Sequence, residues 1–268
     1  MTDRRKPGLL QEALSKAPQA TLLFWLVKIC ATTVGETGGD AVSMTLKLGY
    51  GIATLIFLGF FIVTMTAQVA ARRYHPWTYW LVVVATTTVG TTTSDFIDRT
   101  LHVGYVASSA VLLGLVIAVL LAWRFTTGKI AADKITSRRD ELFYWLTIVV
   151  SNTLGTALGD FTADATGLNL GFEKGALLFA GLIAVVALLH RQKWLPQAVL
   201  FWAAYVLTRP LGATLGDTLT KSHAQGGLEF GRMTATFAIA AVMVLLILVT
   251  PSLRRPASAL TAENPGST

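Results

Sequence analysis

Five carboxylates stand in apolar sequence, where carboxylates are costly: Glu36, Asp40, Asp95, Asp160 and Asp217. Four of them close the same phrase, in which a glycine, three residues and a second glycine or serine precede an aspartate. Thr32–Asp40 reads TTVGETGGD, Thr87–Asp95 TTVGTTTSD, Asn152–Asp160 NTLGTALGD and Arg209–Asp217 RPLGATLGD. Ionisable groups inside a membrane span are expensive and as a rule face a bundle interior or an aqueous path. Carboxylates, threonine hydroxyls, Asn152 and backbone carbonyls are hard oxygen donors, a set that suits Mg, Ca or Mn. Zinc and copper favour Cys and His, and here there is one cysteine, Cys30, and four histidines that form no ligand pair. The candidate metal ligands are therefore Glu36, Asp40, Asp95, Asp160, Asp217 and Asn152. Two cations share the apolar segments and are the candidate counter-ions or coupling groups. Arg209 takes the position held by Thr32, Thr87 and Asn152, as a fixed partner of Glu36 or as a charge that changes partners during transport. Lys28 lies eight residues before Glu36, about 12 Å along a helix, so each is expected to find another partner. Asp98 and Asp164, just past the motif, either widen an acidic vestibule or are solvated loop acids.

Further markers show that the phrase belongs to a larger repeat. An aromatic–Trp pair occurs at Phe24–Trp25, Tyr79–Trp80, Tyr144–Trp145 and Phe201–Trp202, and each Trp stands 15 residues before its Asp. Downstream come Leu48-Gly-Tyr50, Val103-Gly-Tyr105, Leu170-Gly-Phe172 and Leu228-Glu-Phe230. Each repeat thus reads as span, short outer loop, second span. The expected spans are 20–40, 50–70, 77–97, 103–123, 142–162, 172–189, 194–216 and 231–250. The expected organisation is a cytoplasmic N-terminal segment 1–19, repeats at 20–70, 77–123, 142–189 and 194–250, and a basic cytoplasmic connector 124–141. A cytoplasmic tail 251–268, read as disordered, completes it. The connector is expected to be a hinge or surface helix. The fold class is all-α integral membrane, with eight transmembrane helices as four parallel two-helix repeats around a pseudo-symmetry axis along the membrane normal. The motif pairs Gly35/Gly39, Gly90/Ser94, Gly155/Gly159 and Gly212/Gly216 put small residues on one face at i, i+4, which lets helix backbones approach closely. They are expected to pack the odd helices centrally, with the even, more uniformly apolar helices facing lipid. The Trp residues are expected at an inner aromatic belt, which sets the first glycines near the midplane and the aspartates towards the outer face.

Composition supports the membrane assignment. The chain is 53% hydrophobic and 14% charged, against about a quarter charged in soluble domains. The net charge of +7 does not signal nucleic acid, because the basic residues sit between apolar runs, where they orient a membrane protein. The first apolar run contains Lys28 and lacks a small-x-small cleavage pattern, so it reads as a span. Fifteen of the 22 Lys and Arg fall on one side. They include Arg4, Arg5, Lys6, Lys16, Arg72, Arg73, the five of the connector, Arg254 and Arg255. The positive-inside rule puts both termini in the cytoplasm.

The four Gly-x-x-x-Gly/Ser-Asp repeats resemble a bacterial inner-membrane family built on a tandem repeat of unknown function, and the resemblance covers residues 20 to 250. It implies a multi-pass protein of the bacterial inner membrane and manganese export, with Glu36, Asp40, Asp95, Asp160 and Asp217 binding Mn. Glu36 is absent from the other three repeats, so the pattern departs from a symmetric four-site arrangement. The functional expectation is a secondary transporter for a hard divalent cation, Mn2+ favoured, exported in exchange for protons, since no Walker or phosphorylation motif is present. No permanently bound cofactor is expected. The expected partners are the lipid bilayer, a small inorganic cation and protons, with no nucleic acid and with homo-oligomerisation left open. The alternatives are an organic-cation transporter, a membrane enzyme with paired carboxylates, and a membrane regulator that moves no solute.

Overall fold

The structure, a computed structural model, describes residues 16–71, 74–130, 135 and 137–249. Arg4, Arg5, Lys6, Arg72, Arg73, Lys134, Arg254, Arg255 and the tail 251–268 lie outside the described residues. Within them are eight α-helices and no strand: α1 (Leu22–Asp40), α2 (Gly49–Ala70), α3 (Pro76–Asp95), α4 (Tyr105–Thr127), α5 (Arg138–Ala163), α6 (Phe172–Gln192), α7 (Gln197–Thr220) and α8 (Arg232–Val249). Six of them, α2, α4, α5, α6, α7 and α8, are long and apolar enough to cross a membrane. Helices α1 and α3 fall short because they carry Lys28, Glu36, Asp40 and a run of threonines on buried faces.

The odd helices form a closed ring: α1 packs on α3, α3 on α5, α5 on α7 and α7 back on α1. Each even helix docks on the inner helix of the following repeat. Thus α2 lies against α3, α4 against α5, α6 against α7, and α8 closes on α1. Apolar side chains cover the outer faces, among them Leu55, Val63, Val111, Leu177 and Phe237. The most apolar windows of the four even helices are only 17–33% buried, against 67% for α5 and α7. An apolar face of this extent needs an apolar solvent or partner to cover it.

The motif glycines explain the ring. A Cβ at Gly35 would meet Thr87, one at Gly90 Asn152, one at Gly155 Arg209, and one at Gly212 Thr32. The first glycine of each repeat therefore receives the residue that opens the motif of the next. Two of these openers also donate across the seam, Thr87 Oγ1 to Ala31 O at 3.1 Å and Thr32 Oγ1 to Thr208 O at 3.2 Å. At Gly212 an added Cβ would lie 2.1 Å from Thr32 Oγ1 and 2.9 Å from its backbone carbon. Gly212→Ala is expected to cost about 1–3 kcal/mol through overpacking. Gly181→Ala, on the outer helix α6 with nothing within 4 Å, should be neutral or stabilise by up to about 1 kcal/mol through helix propensity. Thermal denaturation of the two variants in the same detergent checks the contrast, and equal melting would show that the seam does not depend on the glycine.

The aromatic–Trp pairs do not form an outward-facing belt. Trp80 and Trp145 are buried with Phe24, Tyr79 and Tyr144 in a plug across one end of the ring. Phe24 and Trp80 have ring centroids 5.5 Å apart, Tyr79 and Trp145 5.5 Å, and Tyr144 and Trp202 5.6 Å. The Tyr79 and Tyr144 hydroxyls are hydrogen-bonded at 2.7 Å. Such pairs add about 0.5–1.5 kcal/mol each beyond their burial, which favours the interior over an interface.

Where the connector is described, it is helical at its two ends, α4 running to Thr127 and α5 starting at Arg138. Helix α5 begins inside it, capped by Ser137, whose Oγ accepts from Asp140 N–H at 3.0 Å. Asp140 Oδ1 accepts from Trp123 Nε1 at 2.8 Å. Lys16 pairs with Glu141 at 2.8 Å and donates to Val69 O, tying three segments together. At the other end, the downstream glycines Gly49, Gly104 and Gly171 have φ of 74°, 87° and 79°, a region open to Gly at no cost. Glu229 takes that position in the fourth repeat at φ 58°.

Candidate functional site

Because side chains four residues apart lie on one helix face, the inner helices stack equivalent residues in levels down the ring. From the aromatic plug, the levels are Lys28, Val83, Ile148 and Tyr205; then Thr32, Thr87, Asn152 and Arg209; then Glu36, Thr91, Thr156 and Ala213; then Asp40, Asp95, Asp160 and Asp217. All sixteen side chains are buried. Polar groups at that burial need partners, and most have them.

Arg209 reaches across the ring from α7. Its Nη2 lies 3.0 Å from Glu36 Oε2 on α1 and donates to Thr156 Oγ1 on α5 at 2.6 Å and to Thr91 Oγ1 on α3. One guanidinium thus touches all four inner helices. Its Nε and Nη1 have no hydrogen-bond partner among the described residues. Lys28 is fully buried and pairs with no carboxylate among the described residues. Its Nζ sits 4.3 Å over the Tyr205 ring and has no hydrogen-bond partner among the described residues. The partner expected for Lys28 is therefore an aromatic face rather than an anion. Asn152 donates through Nδ2 to Thr86 Oγ1 at 3.0 Å. It lies two turns below the aspartates, on the seam against Gly90, and is not beside the acid cluster.

The four aspartates do not share one centre. They form two pairs, each bridged by a cation four residues past one member. Arg99 binds Asp95 Oδ1 through Nε at 2.8 Å and lies 3.2 Å from Asp160 Oδ2 through Nη2. Lys221 Nζ lies 3.1 Å from Asp217 Oδ1 and 3.4 Å from Asp40 Oδ2. Arg232, opening α8, stands 3.5 Å from the same Asp40 oxygen. Burial alone would pull Lys221 below its ordinary range, but Asp217 and Asp40 override it and hold the ammonium well above. Arg99 is raised in the same way, burial opposing and Asp160 and Asp95 prevailing. The clasps close the α3–α5 and α7–α1 seams at this end. Among the described residues no ion pair closes the α1–α3 or α5–α7 seam there.

Three of the predicted ligands do converge. Glu36, Asp40 and Asp217 each offer an oxygen within 4.8 Å of the others, and all three are buried. Asp95 and Asp160 are not part of that cluster and are bridged by Arg99. Backbone geometry adds a further asymmetry. Past Asp40 and Asp95 the helices widen into π-helical turns, Ala41–Thr45 and Phe96–Thr100, whereas α5 and α7 continue as α-helix for three residues past their aspartates. Such turns are rare and frequent at functional sites. Asp98 and Asp164 line an outer cleft of about 670 Å³ together with His102 and Tyr105.

Sequence reasoning did not single out Arg99, Lys221 and Arg232 as partners of the aspartates, nor Thr91 and Thr156 among the threonine hydroxyls. The spacing Asp95–Arg99 and Asp217–Lys221 is the i, i+4 ion-pair interval and was the available signal. It is hidden because the equivalent residues in the other repeats are Met44 and Asp164.

A family model described as Repeat of Unknown Function (DUF347) matches the chain four times, over residues 23–74, 78–129, 143–193 and 200–255. No curated protein and no solved structure matches the chain.

Proposed function

The chain belongs to this four-repeat family, whose description names no activity, and from that premise we propose that it is a secondary transporter for a hard divalent cation. The observation that carries this is the convergence of Glu36, Asp40 and Asp217 from two neighbouring inner helices, buried and within 4.8 Å of one another. Three carboxylates with threonine hydroxyls nearby make an all-oxygen donor set, which suits Mn, Mg or Ca over zinc or copper. The family resemblance favours Mn2+, exported against protons.

All eight helices cross the bilayer in this reading, the even ones against lipid and the odd ones lining the site. The basic residues then place both termini in the cytoplasm of a bacterial inner membrane and the aspartates towards the outer face. The ammonium of Lys221 holds the place between Asp40 and Asp217 that an entering cation takes, so uptake displaces it. Exchange of protons for metal at the acids supplies the coupling.

Reconstitution into proteoliposomes with an imposed pH gradient tests the proposal. Mn2+ flux is expected from the parent protein. Glu36→Gln and Asp40→Asn should each lower it at least about tenfold, since even an outer-shell change costs 10–100-fold in metal affinity. Absence of Mn, Mg, Ca or Zn flux under any proton gradient, with folded protein in the vesicles, would rule out transport of these ions. A charge-locked membrane scaffold that moves no solute is the second reading, favoured by one observation: all four repeat aspartates already carry a cationic partner. Unchanged physiological effect after Glu36→Gln and the four Asp→Asn changes would select it.

A further inference from the structure

The two ionic clasps are related by half a turn of the ring. Lys221 joins Asp217 of the fourth repeat to Asp40 of the first, and Arg99 joins Asp95 of the second to Asp160 of the third. We infer that Asp95 and Asp160 are the twofold mate of the Glu36–Asp40–Asp217 cation site, and that Arg99 keeps this mate closed, so that the chain takes one divalent cation where its repeats offer two. The inference rests on the cation site proposed above.

The difference between the clasps lies in how each cation holds its acids. Arg99 spends a separate nitrogen on each carboxylate, at 2.8 and 3.2 Å. A planar fork of that kind fixes both acids in place, and its charge is permanent. Lys221 serves both of its acids from one nitrogen, at 3.1 and 3.4 Å. It is a compact point charge, and another point cation replaces it without rearranging the acids. The level below differs as well. Glu36 underlies Asp40, whereas Thr156 underlies Asp160 and is occupied by Arg209. The mate therefore has two carboxylates where the working site has three.

A second observation marks the mate as a place for a ligand. The Ser94 hydroxyl is 1% exposed and has no hydrogen-bond partner among the described residues. Its repeat counterparts Gly39, Gly159 and Gly216 abut the next inner helix, which puts this hard oxygen donor on the α3–α5 seam, adjoining Asp95. With Arg99 removed, Asp95, Asp160 and Ser94 form an oxygen site of the same class with less charge, and charge count sets affinity for such ions.

Calorimetric titration of the full chain with MnCl2 tests this. One Mn is expected for the parent and two for Arg99→Gln, the second binding about tenfold or more weakly than the first. The double variant Arg99→Gln/Asp160→Asn should return to one. If Arg99→Gln does not fold, Arg99→Lys, which keeps the charge but not the fork, takes its place and should also show a second Mn. One Mn in the parent and one in the folded Arg99 variants would overturn the inference and leave the Glu36 site standing. None in the parent and one in Arg99→Gln would support the mate and remove the Glu36 site. None in any folded protein would overturn both.

Discussion

Arg209→Gln is expected to lower the stability of the detergent-solubilised protein by about 3–5 kcal/mol, the usual cost of removing one partner from a buried ion pair. The reason is local and specific. Glu36 is buried, and Arg209 is the cation within ion-pair distance of its carboxylate, at 3.0 Å. Asp40 and Asp217 add negative charge beside it. The same guanidinium donates to Thr91 Oγ1 on α3 and Thr156 Oγ1 on α5, so its loss also unties two hydroxyls from the centre of the ring. Arg209 further packs its Cβ and Cγ against the α5 backbone at Gly155, and the shorter Gln keeps that contact. The expected loss is thus chiefly electrostatic, which a double-mutant cycle isolates. Glu36→Gln in the Arg209→Gln background should recover most of the stability, because the carboxylate left without its guanidinium is then neutral as well. Denaturation of the four proteins in one detergent measures it. Arg209→Gln as stable as the parent would show that Glu36 does not depend on the guanidinium.

Much of this centre was legible along the chain but not across it. The constant Trp–Asp interval and the recurrent glycines identify four equivalent helices, and the glycines do face helix neighbours. What the sequence lacks is the register between helices. Nothing in the spacing says that Gly155 receives Arg209 or that Gly212 receives Thr32, because these contacts join residues of different repeats, and for Gly212 the two ends of the fold. The same gap hid the split of the aspartates. Read as one motif, Asp40, Asp95, Asp160 and Asp217 look fourfold. The residues four positions on, Met44, Arg99, Asp164 and Lys221, reduce that symmetry to two clasps. The aromatic pairs misled for a physical reason too: Trp is common both at membrane interfaces and in cores, and only the packing of Trp80 and Trp145 decides between them. Arg209 and Glu36 were legible as partners because each is an isolated charge in an otherwise neutral level.

Lys28→Met is expected to act in the opposite direction and raise stability by about 1–4 kcal/mol, the gain seen when buried charges give way to apolar residues of similar volume. Lys28 is fully buried, with no carboxylate partner and no hydrogen-bond acceptor for its Nζ among the described residues. Its compensation is the face of Tyr205 at 4.3 Å, and a desolvated cation–π contact returns about 2 kcal/mol against a desolvation cost of several. One level away on the same seam Arg209 carries a second positive charge, while Glu36 is the one carboxylate in the levels below the aspartates. Met fills nearly the same volume without a charge and keeps favourable contact with the tyrosine ring. On the transport reading proposed above, Lys28 adjoins the Arg209–Glu36 pair under the cation site, so the gain in stability should come with a loss of cation flux in proteoliposomes. A higher melting temperature with unchanged flux would make Lys28 dispensable to transport. A lower melting temperature would mean that the ammonium is compensated after all, and the balance of charges along the ring would have to be redrawn around it.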